Sequence, residues 1–364
     1  MKNTFGNNVT FTIFGESHGE EIGAVIDGMT PGVTVDEEYI ASRLALRRPS
    51  GRISTARVEE DKFRIVSGVF NGRATGTPIT ILIPNTNTKS GDYARTRALA
   101  RPGHADYTAH VKYNGFENYR GGGHFSGRIT AGIVAAGAIA ESALAKKGIK
   151  IGTHIKRCAG IDDAQFTDIE KGIDILHDKM FPVLDDAMGE KMQEAILAAA
   201  SDGDSVGGIL ETYVTGFPAG VGEPMFDSIE SELSHILFSV PAVKGVEFGA
   251  GFGFADLRGS EANDPMRYEG DKVVTLTNNN GGINGGISNG MPIHFKCVIK
   301  PTPSIFKKQE TVDFINKENG ELELQGRHDP AIIHRARIVI DSVTAMVLMD
   351  MLTGRYGADY FAED

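Results

Sequence analysis

The chain has 364 residues, enough to bury a large core, and a formal net charge of −11 at neutral pH. This charge argues against nucleic acid or a membrane surface as the partner, because both select proteins with a basic face. The two cysteines, Cys158 and Cys297, have no neighbours at metal-ligand spacing. We therefore expect no disulfide framework, no bound metal and a reducing cytoplasm. The first residues lack an export signal, which predicts an unexported, soluble protein.

The first candidate for chemistry is the loop GESHG at residues 15–19. The sequence predicts a strand over residues 9–14 before it and another over residues 22–26 after it. His18 lies beside Ser17 in this loop, where an imidazole can carry a proton near neutral pH. A histidine in an ordinary turn is the alternative.

The next predicted helix covers residues 36–47, begins with acidic residues and ends with arginine. A basic run starts within this helix and continues beyond it. From Tyr39 to Val58 no acidic residue occurs, but there are five arginines: Arg43, Arg47, Arg48, Arg52 and Arg57. The Pro-Ser-Gly loop among them can direct Arg48 and Arg52 at one anion. A solvated basic surface is the alternative.

A second histidine, His104, lies in the segment RPGHAD at residues 101–106. Before it, strands predicted over residues 63–69 and 79–83 form a hairpin, and the polar residues 85–100 are predicted to form a loop. Asp106 is spaced to orient the His104 imidazole. An ordinary turn histidine is again the alternative.

The most informative stretch, residues 119–140, reads YRGGGHFSGRITAGIVAAGAIA. Its three glycines let the backbone approach a ligand closely, and His124, Ser126 and Arg128 add polar groups. No charged residue follows Arg128 until Glu141, which predicts a buried helix that starts near residue 126 or 127. The N-terminus of such a helix suits a phosphate or carboxylate. A tight turn before a core helix is the alternative.

The rest of the chain interleaves strands with helices. Strands are predicted over residues 149–155, 206–214, 246–248 and 291–299, helices over residues 190–200, 227–238 and 331–351, and irregular structure over residues 162–184. Helices that are apolar on every side indicate helices enclosed between sheets. Asp329 precedes the last predicted helix and is a candidate site residue. Capping this helix is the alternative role for its carboxylate.

Eight motifs in fixed order resemble those of chorismate synthases, from about residue 4 to residue 351: GESHG, RRPSGR, RPGHAD, YRGGGHFSGR, FSVPAVKGVEFG, GGINGGIS, KPTPS and GRHDP. The resemblance implies one domain over residues 1–364 with that family's α+β fold, a β-α-β sandwich with helices enclosed between antiparallel sheets. It also implies the homotetramer that is typical of the family. It implies a lyase that converts 5-enolpyruvylshikimate 3-phosphate to chorismate and phosphate by 1,4-anti elimination, the last step of the shikimate pathway. It also implies a need for reduced FMN.

The resemblance implies roles for individual residues. His18 and His104 match two catalytic histidines, one protonating the reduced flavin and the other the departing phosphate. Asp329 matches an aspartate that helps the flavin take up the substrate proton, and Ser17 and Ser126 match serines that position the flavin and Asp329. The implied substrate pocket contains Arg47, Arg48, Arg52, Arg101, Arg128 and Arg335. The implied flavin contacts are His124, Phe125, Ser126, Ala242, Gly285, Lys300, Pro301, Thr302, Pro303, Ser304 and Arg327.

The chain departs from many relatives in the glycine loop. Where they carry GGRSSAR, residues 122–128 read GGHFSGR, so His124 replaces a permanent cation and Phe125 replaces a hydroxyl. The long insertions of the bifunctional fungal members are missing. We therefore expect an external reductase to supply the reduced FMN, and poor reduction of the flavin by NADPH on this chain.

Two other functions stay open on the sequence. A phosphatase could use the same histidines and arginines on a phosphate monoester without flavin. A non-catalytic flavin- or metabolite-binding protein would need neither His104 nor Asp329 for activity.

Overall fold

The structure is a computed structural model that describes residues 2–49, 51–54, 60–86, 97–324 and 328–363. The described residues form the strands β1 (Thr4–Phe5), β2 (Thr10–Gly15), β3 (Glu21–Asp27), β4 (Arg64–Ser67), β5 (Val69–Phe70), β6 (Arg73–Ala74), β7 (Ile79–Pro84), β8 (Lys150–Cys158), β9 (Ile161–Asp162), β10 (Gly208–Thr215), β11 (Val243–Phe248), β12 (Met266–Glu269), β13 (Lys272–Thr275), β14 (Ile283–Asn284), β15 (Ile287–Ser288), β16 (Ile293–Ile299), β17 (Gln309–Asp313) and β18 (Glu318–Leu322). They form the α-helices α1 (Glu37–Arg47), α2 (Asp106–Lys112), α3 (Thr130–Lys146), α4 (Ile169–Leu176), α5 (Asp186–Ser201), α6 (Ile229–Leu237), α7 (Gly259–Ala262) and α8 (Ile333–Tyr356).

Two antiparallel sheets enclose a middle layer of helices. One sheet has the strand order β1-β2-β3-β7-β4 and the other β11-β16-β10-β8-β9. Helix α3 packs against β3 of the first sheet, α8 packs against β8 of the second, and the two helices pack against each other. The predicted α+β sandwich with helices between antiparallel sheets is therefore confirmed.

Small residues in α3 are explained by close packing on both sides. A Cβ on Gly132 would lie 2.7 Å from the Gly23 carbonyl oxygen in β3, and one on Gly137 would lie 2.4 Å from the Ser342 Cβ in α8. Residues 127–146 are long and apolar enough to cross a membrane, but 83% of the most apolar window is buried inside the protein. This segment is the core helix that the sequence predicted.

Most predicted elements are present, with boundaries shifted by a few residues. Asp36 caps α1 by accepting from the backbone amides of Glu38 and Tyr39. The prediction that residues 162–184 are irregular was wrong, because they contain α4, which Asp168 caps through the amide of Lys171. The predicted hairpin does pair β4 with β7, but the short β5–β6 hairpin lies between them. In the predicted loop over residues 85–100, residues 87–96 lie outside the described residues.

The basic run is not a solvated surface throughout. Arg43 is buried, and its guanidinium donates to both carboxylate oxygens of Glu141 at 3.0 and 3.2 Å. Arg47 is also buried. Arg57 lies outside the described residues. A buried charge needs a partner, and Glu141 provides it for Arg43 within the core. Arg47 instead lines the cavity described below.

The second sheet contains a buried cluster of ionisable groups. His154 Nδ1 lies 2.7 Å from Asp163 Oδ2, and His154 Nε2 lies 2.8 Å from Glu211 Oε2. The other Glu211 oxygen lies 3.0 Å from His294 Nε2. Burial disfavours the charged imidazolium, but the hydrogen bonds to Asp163 and Glu211 outweigh it and raise the pKa of His154.

Replacing His154 by glutamine is expected to destabilise the protein by about 3–5 kcal/mol near pH ~6, the usual cost of breaking a buried ion pair. The folded-state pKa of His154 is above its unfolded value of about 6.5. Its charge therefore stabilises the fold fully below pH ~6.5, and this contribution is lost as the pH rises through the folded pKa. Urea denaturation should show a larger difference from wild type at about pH 6 than at about pH 9.

His177→Gln is the matched control for this prediction, because His177 pairs with the exposed Asp178 at the protein surface. It should change the free energy of unfolding by less than about 0.5 kcal/mol. A loss in His154→Gln that does not change with pH would contradict the ionised cluster.

Candidate active site

A cavity of about 910 Å³ lies at the N-terminal ends of α3 and α8. Thr130 and Ile133 of α3 and Val339 and Val343 of α8 form part of its wall. The volume is near the upper end of the roughly 300–1,000 Å³ found for small-molecule sites. The cavity can therefore hold more than a small metabolite.

The glycine loop lies between the two predicted histidines. A Cβ on Gly121 would lie only 2.2 Å from Cε1 and Nδ1 of His18, and one on Gly122 would lie 3.5 Å from Cε1 and Nε2 of His104. The backbone φ is +62° at Gly121 and +85° at Gly122, a region that favours glycine. The loop thus needs glycine both for its backbone conformation and for contact with the His18 imidazole.

Ser17 and His124 hold this loop in place. The Ser17 amide donates to the Gly123 carbonyl at 3.1 Å, and its hydroxyl oxygen lies 3.2 Å from His18 Nδ1. His124 Nδ1 donates to the Gly15 carbonyl at 2.7 Å. Because a carbonyl only accepts, this bond places a proton on His124 Nδ1.

His104 is oriented by Asp106, as the spacing predicted. His104 Nδ1 lies 2.8 Å from Asp106 Oδ1, while Arg101 donates to both oxygens of the same carboxylate at 2.7 and 2.8 Å. Burial opposes ionisation of Asp106, but hydrogen bonds from Arg101 and His104 outweigh it and hold the pKa of Asp106 well below its usual range. Since a carboxylate accepts, Nδ1 donates to Asp106, and Nε2 is then the atom near Gly122.

Three arginines from separate segments line the cavity. Arg47 ends α1, Arg128 lies in the 3₁₀ turn Gly127–Ile129 that leads into α3, and Arg335 lies in the first turn of α8. Arg335 Nε donates to the backbone carbonyl of Arg47 at 2.7 Å, which links the first and last of these segments. The cavity wall is therefore strongly cationic in a chain that is acidic as a whole.

Asp329 does not cap the last helix. The N-cap of α8 is Ile332, which makes no side-chain capping bond. Asp329 Oδ2 instead accepts from Arg335 Nη1 at 2.6 Å, and both residues line the cavity. The capping alternative is thus wrong, and Asp329 forms part of the cavity wall.

The segment KPTPS forms another part of the wall. Lys300, Thr302, Pro303 and Ser304 line the cavity, and Lys300 Nζ donates to the Gly103 carbonyl next to His104. The Thr302 hydroxyl oxygen is buried without a hydrogen-bond partner among the described residues. Pro301 packs on Gly207 instead of facing the cavity. A buried unpaired hydroxyl in a cavity wall suits a polar ligand.

The structure brings most of the predicted site residues to one place. Those that line the cavity are Ser126, His104, Asp329, Arg47, Arg128, Arg335, His124, Phe125, Ala242, Lys300, Thr302, Pro303 and Ser304. Ser17, His18 and Arg101 contact residues of the wall without lining it. Ala242 has a φ of +75°, an uncommon backbone conformation for a residue other than glycine.

Four further predicted residues do not line this wall, and a fifth, Arg327, cannot be placed. Pro301 is one of the four, as described above. Arg48 donates to the Glu60 carbonyl, Arg52 is exposed, and Gly285 lies at the exposed turn between β14 and β15. The predicted pairing of Arg48 and Arg52 on one anion is therefore not seen in the described residues. Arg327 lies outside them.

Two polar residues behind the arginines were missed by the sequence analysis. Asp61 accepts from both Arg47 and Arg128, and Asn85 Oδ1 accepts from Arg128 Nε at 2.9 Å. Asp61 lies 67 residues from Arg128, and no local pattern marks a contact over that separation. The nearest signal is the acidic run that follows the arginines in the sequence.

A deep cationic cavity with two adjacent histidines and a carboxylate defines an enzyme for a small anionic substrate. The family model for chorismate synthase matches residues 9–353. The chorismate synthase of Pyrococcus abyssi is 47% identical over 350 residues, which cover 96% of this chain and 97% of that protein. The chorismate synthase of Dehalococcoides mccartyi is 45% identical over 354 residues, 96% of either chain.

A solved structure gives the same result. A crystal structure of chorismate synthase matches this fold with a TM-score of 0.77 at 27% identity, covering 97% of this chain and 94% of that one. The chain therefore belongs to the chorismate synthase family, which confirms the resemblance seen in its motifs.

Proposed function

We propose that the cavity is the active site of this chain and that reduced FMN binds in it beside the substrate. The activity is that of the family: a lyase converts 5-enolpyruvylshikimate 3-phosphate to chorismate and phosphate by 1,4-anti elimination, the last step of the shikimate pathway. The observation that carries the proposal is the convergence of Arg47, Arg128, Arg335, His104 and Asp329 on one cavity.

The cationic wall fits the substrate, which carries one phosphate and two carboxylates. Guanidinium groups bind such anions with paired, charge-assisted hydrogen bonds, and the apolar part of the wall strengthens these bonds by excluding water. We assign substrate binding to Arg47, Arg128 and Arg335, which line the cavity. Arg101 instead fixes Asp106, the carboxylate that orients His104, and Arg48 and Arg52 remain predictions from the family resemblance.

Proton transfer is assigned to the two histidines beside the glycine loop. One imidazole protonates the departing phosphate and the other serves the flavin, as the family resemblance implies. Asp106 accepts a hydrogen bond from the Nδ1–H of His104, so His104 keeps one orientation through the reaction. Asp329, fixed by Arg335, assists removal of the substrate proton.

The residues present fit a flavin mononucleotide. Lys300, Thr302 and Ser304 would hold its phosphate, because the cavity wall there offers an ammonium group and two hydroxyls. The Thr302 hydroxyl is buried and has no partner among the described residues. His124, Phe125, Ser126 and Ala242 would contact the rest of the cofactor. When bound, reduced FMN would supply electron density to the substrate ring as its allylic C–O bond breaks. No side chain can supply it. The source of reduced flavin is an external reductase.

We further propose a homotetramer in the cytoplasm. Large aromatic side chains are exposed on the single chain, including Phe116, Phe226 and Phe252 at 92%, 87% and 85% exposure. Aromatic residues of this kind are enriched where subunits meet. Sedimentation at micromolar concentration would report the assembly.

Anaerobic incubation with photoreduced FMN and 5-enolpyruvylshikimate 3-phosphate is expected to yield chorismate and phosphate in equal amounts. Absorbance of the diene and a phosphate assay measure the two products. A phosphatase would release phosphate and leave the ring without a new double bond, and a binding protein would form neither product. Either result would contradict the proposed function.

A further inference from the structure

A buried carboxylate lies directly behind two arginines of the cavity wall. The Asp61 side chain has 0% exposure, against 3% for Arg47 and 5% for Arg128. Asp61 Oδ2 accepts from Arg47 Nη2 at 3.2 Å, and Asp61 Oδ1 accepts from Arg128 Nη1 in a closer contact. Both arginines line the cavity, whereas Asp61 does not. The carboxylate therefore contacts the two cations from the side away from the ligand.

Among the described residues, neutral acceptors also contact both guanidinium groups. Arg128 Nε donates to Asn85 Oδ1 at 2.9 Å, and Arg128 Nη2 donates to the Pro84 carbonyl at 3.2 Å. Arg47 Nη1 donates to the Gly127 carbonyl at 3.4 Å. These contacts orient the side chains but supply no negative charge. Asp61 adds a negative charge, with one oxygen for each arginine.

Two adjacent arginine cations with little water around them repel each other. A carboxylate between them replaces part of that repulsion by attraction, and two charge-assisted hydrogen bonds fix their spacing. Removing one partner from a buried ionic group is destabilising, because it leaves buried charge that is less well compensated. The backbone at Asp61 also has a φ of +48°, a region that aspartate tolerates better than most residues.

We propose that Asp61 is a positioning residue that holds Arg47 and Arg128 at a fixed spacing, ready to bind the anionic groups of the substrate. It does this without touching the substrate, since the two arginines separate it from the cavity. This inference rests on the proposed role of the two arginines in substrate binding.

The test compares Asp61→Asn with wild type. The variant keeps the shape of the side chain, loses its charge and turns one acceptor oxygen into a donor that faces a guanidinium group. Its KM for 5-enolpyruvylshikimate 3-phosphate should rise about tenfold or more, equivalent to roughly 1.4 kcal/mol of lost binding. Its Kd for FMN should stay within about twofold of wild type, because FMN is assigned to other residues. A general loss of folding would weaken the binding of both the substrate and FMN.

Asp61→Glu keeps the charge but moves the two oxygens outward by one methylene group. Asp61→Glu should recover part of the substrate affinity that Asp61→Asn loses. Partial recovery is expected if both the charge and the spacing matter, and it is not expected of a merely structural role. Because its charge is retained, Asp61→Glu also tests the proposal if Asp61→Asn does not fold: KM must then still exceed that of wild type. Asp162→Asn is the matched control, because Asp162 is an exposed aspartate 3.6 Å from Arg157.

A direct binding measurement separates this inference from the proposed function. Calorimetric titration of 5-enolpyruvylshikimate 3-phosphate without flavin gives its Kd whether or not turnover occurs. Absent turnover in wild type would refute the function alone, whereas weaker binding to Asp61→Asn would still support the positioning role. Equal or tighter binding to Asp61→Asn would overturn it, and tighter binding would show that Asp61 competes with the substrate for the arginines.

Discussion

Replacing His104 by alanine is expected to lower kcat by about 10²- to 10⁴-fold, the range that a well-placed proton carrier contributes. His104 lines the cavity and is fixed by Asp106, so its loss removes a proton carrier and leaves the cavity otherwise intact. KM for the substrate should change by less than about threefold, because the three arginines of the wall remain. Steady-state anaerobic kinetics with photoreduced FMN measure both constants.

His110→Ala is the matched control for this variant. His110 lies six residues further along the chain in α2, pairs with Glu117 and does not line the cavity. It should keep kcat within about twofold of wild type. If His104→Ala retained wild-type kcat, His104 would be an ordinary turn histidine and the assignment would be wrong.

Gly121→Ala is expected to lower kcat/KM by about 10²-fold, because a displacement of about 1 Å at a reacting group can cost that much. The new Cβ would lie 2.2 Å from two atoms of the His18 ring and 2.7 Å from the Ser17 hydroxyl, so one of these groups must move. The backbone at Gly121 has a φ of +62°, which alanine adopts only with strain of about 1–3 kcal/mol. Thermal unfolding measures the strain, and anaerobic kinetics measure the effect on the site.

Gly253→Ala is the control for adding a methyl group at a glycine. Gly253 lies in the 3₁₀ turn Gly251–Asp256, and a Cβ there would meet no heavy atom within 4 Å. Its kcat/KM should match wild type. Wild-type kcat/KM in Gly121→Ala would show that the position of His18 behind the glycine loop does not matter for the reaction.

Sequence patterns predicted the architecture because the decisive signals are local. The apolar run from Ile129 to Ala140 could only be buried, and its glycines allow α3 to pack closely on β3 and α8. The pattern is wrong at α4, because it predicts irregular structure where Asp168 caps an amphipathic helix of eight residues. Short helices give weak periodic signals, so tertiary packing decides them.

The site was predictable only in part, for a related physical reason. The histidines and Asp329 can be recognised from the residues beside them in the motifs. Asp106, for example, lies only two residues from His104, which it orients. The fate of each arginine depends on distant partners. Arg43 pairs with Glu141 in the core, while Arg47 and Arg128 share Asp61, and none of these contacts is visible in a local pattern. Local patterns therefore predicted an anion site, and only the family resemblance named together Arg47, Arg128 and Arg335, which line it.

The central claim is tested most directly by measuring whether phosphate release requires reduced flavin. The initial rate of phosphate release from 5-enolpyruvylshikimate 3-phosphate should be compared under anaerobic conditions with photoreduced FMN, with oxidised FMN and with no flavin. We predict release with reduced FMN only, matched by an equal amount of chorismate. Release at the same rate without reduced FMN would contradict the claim that substrate and flavin act together in this cavity.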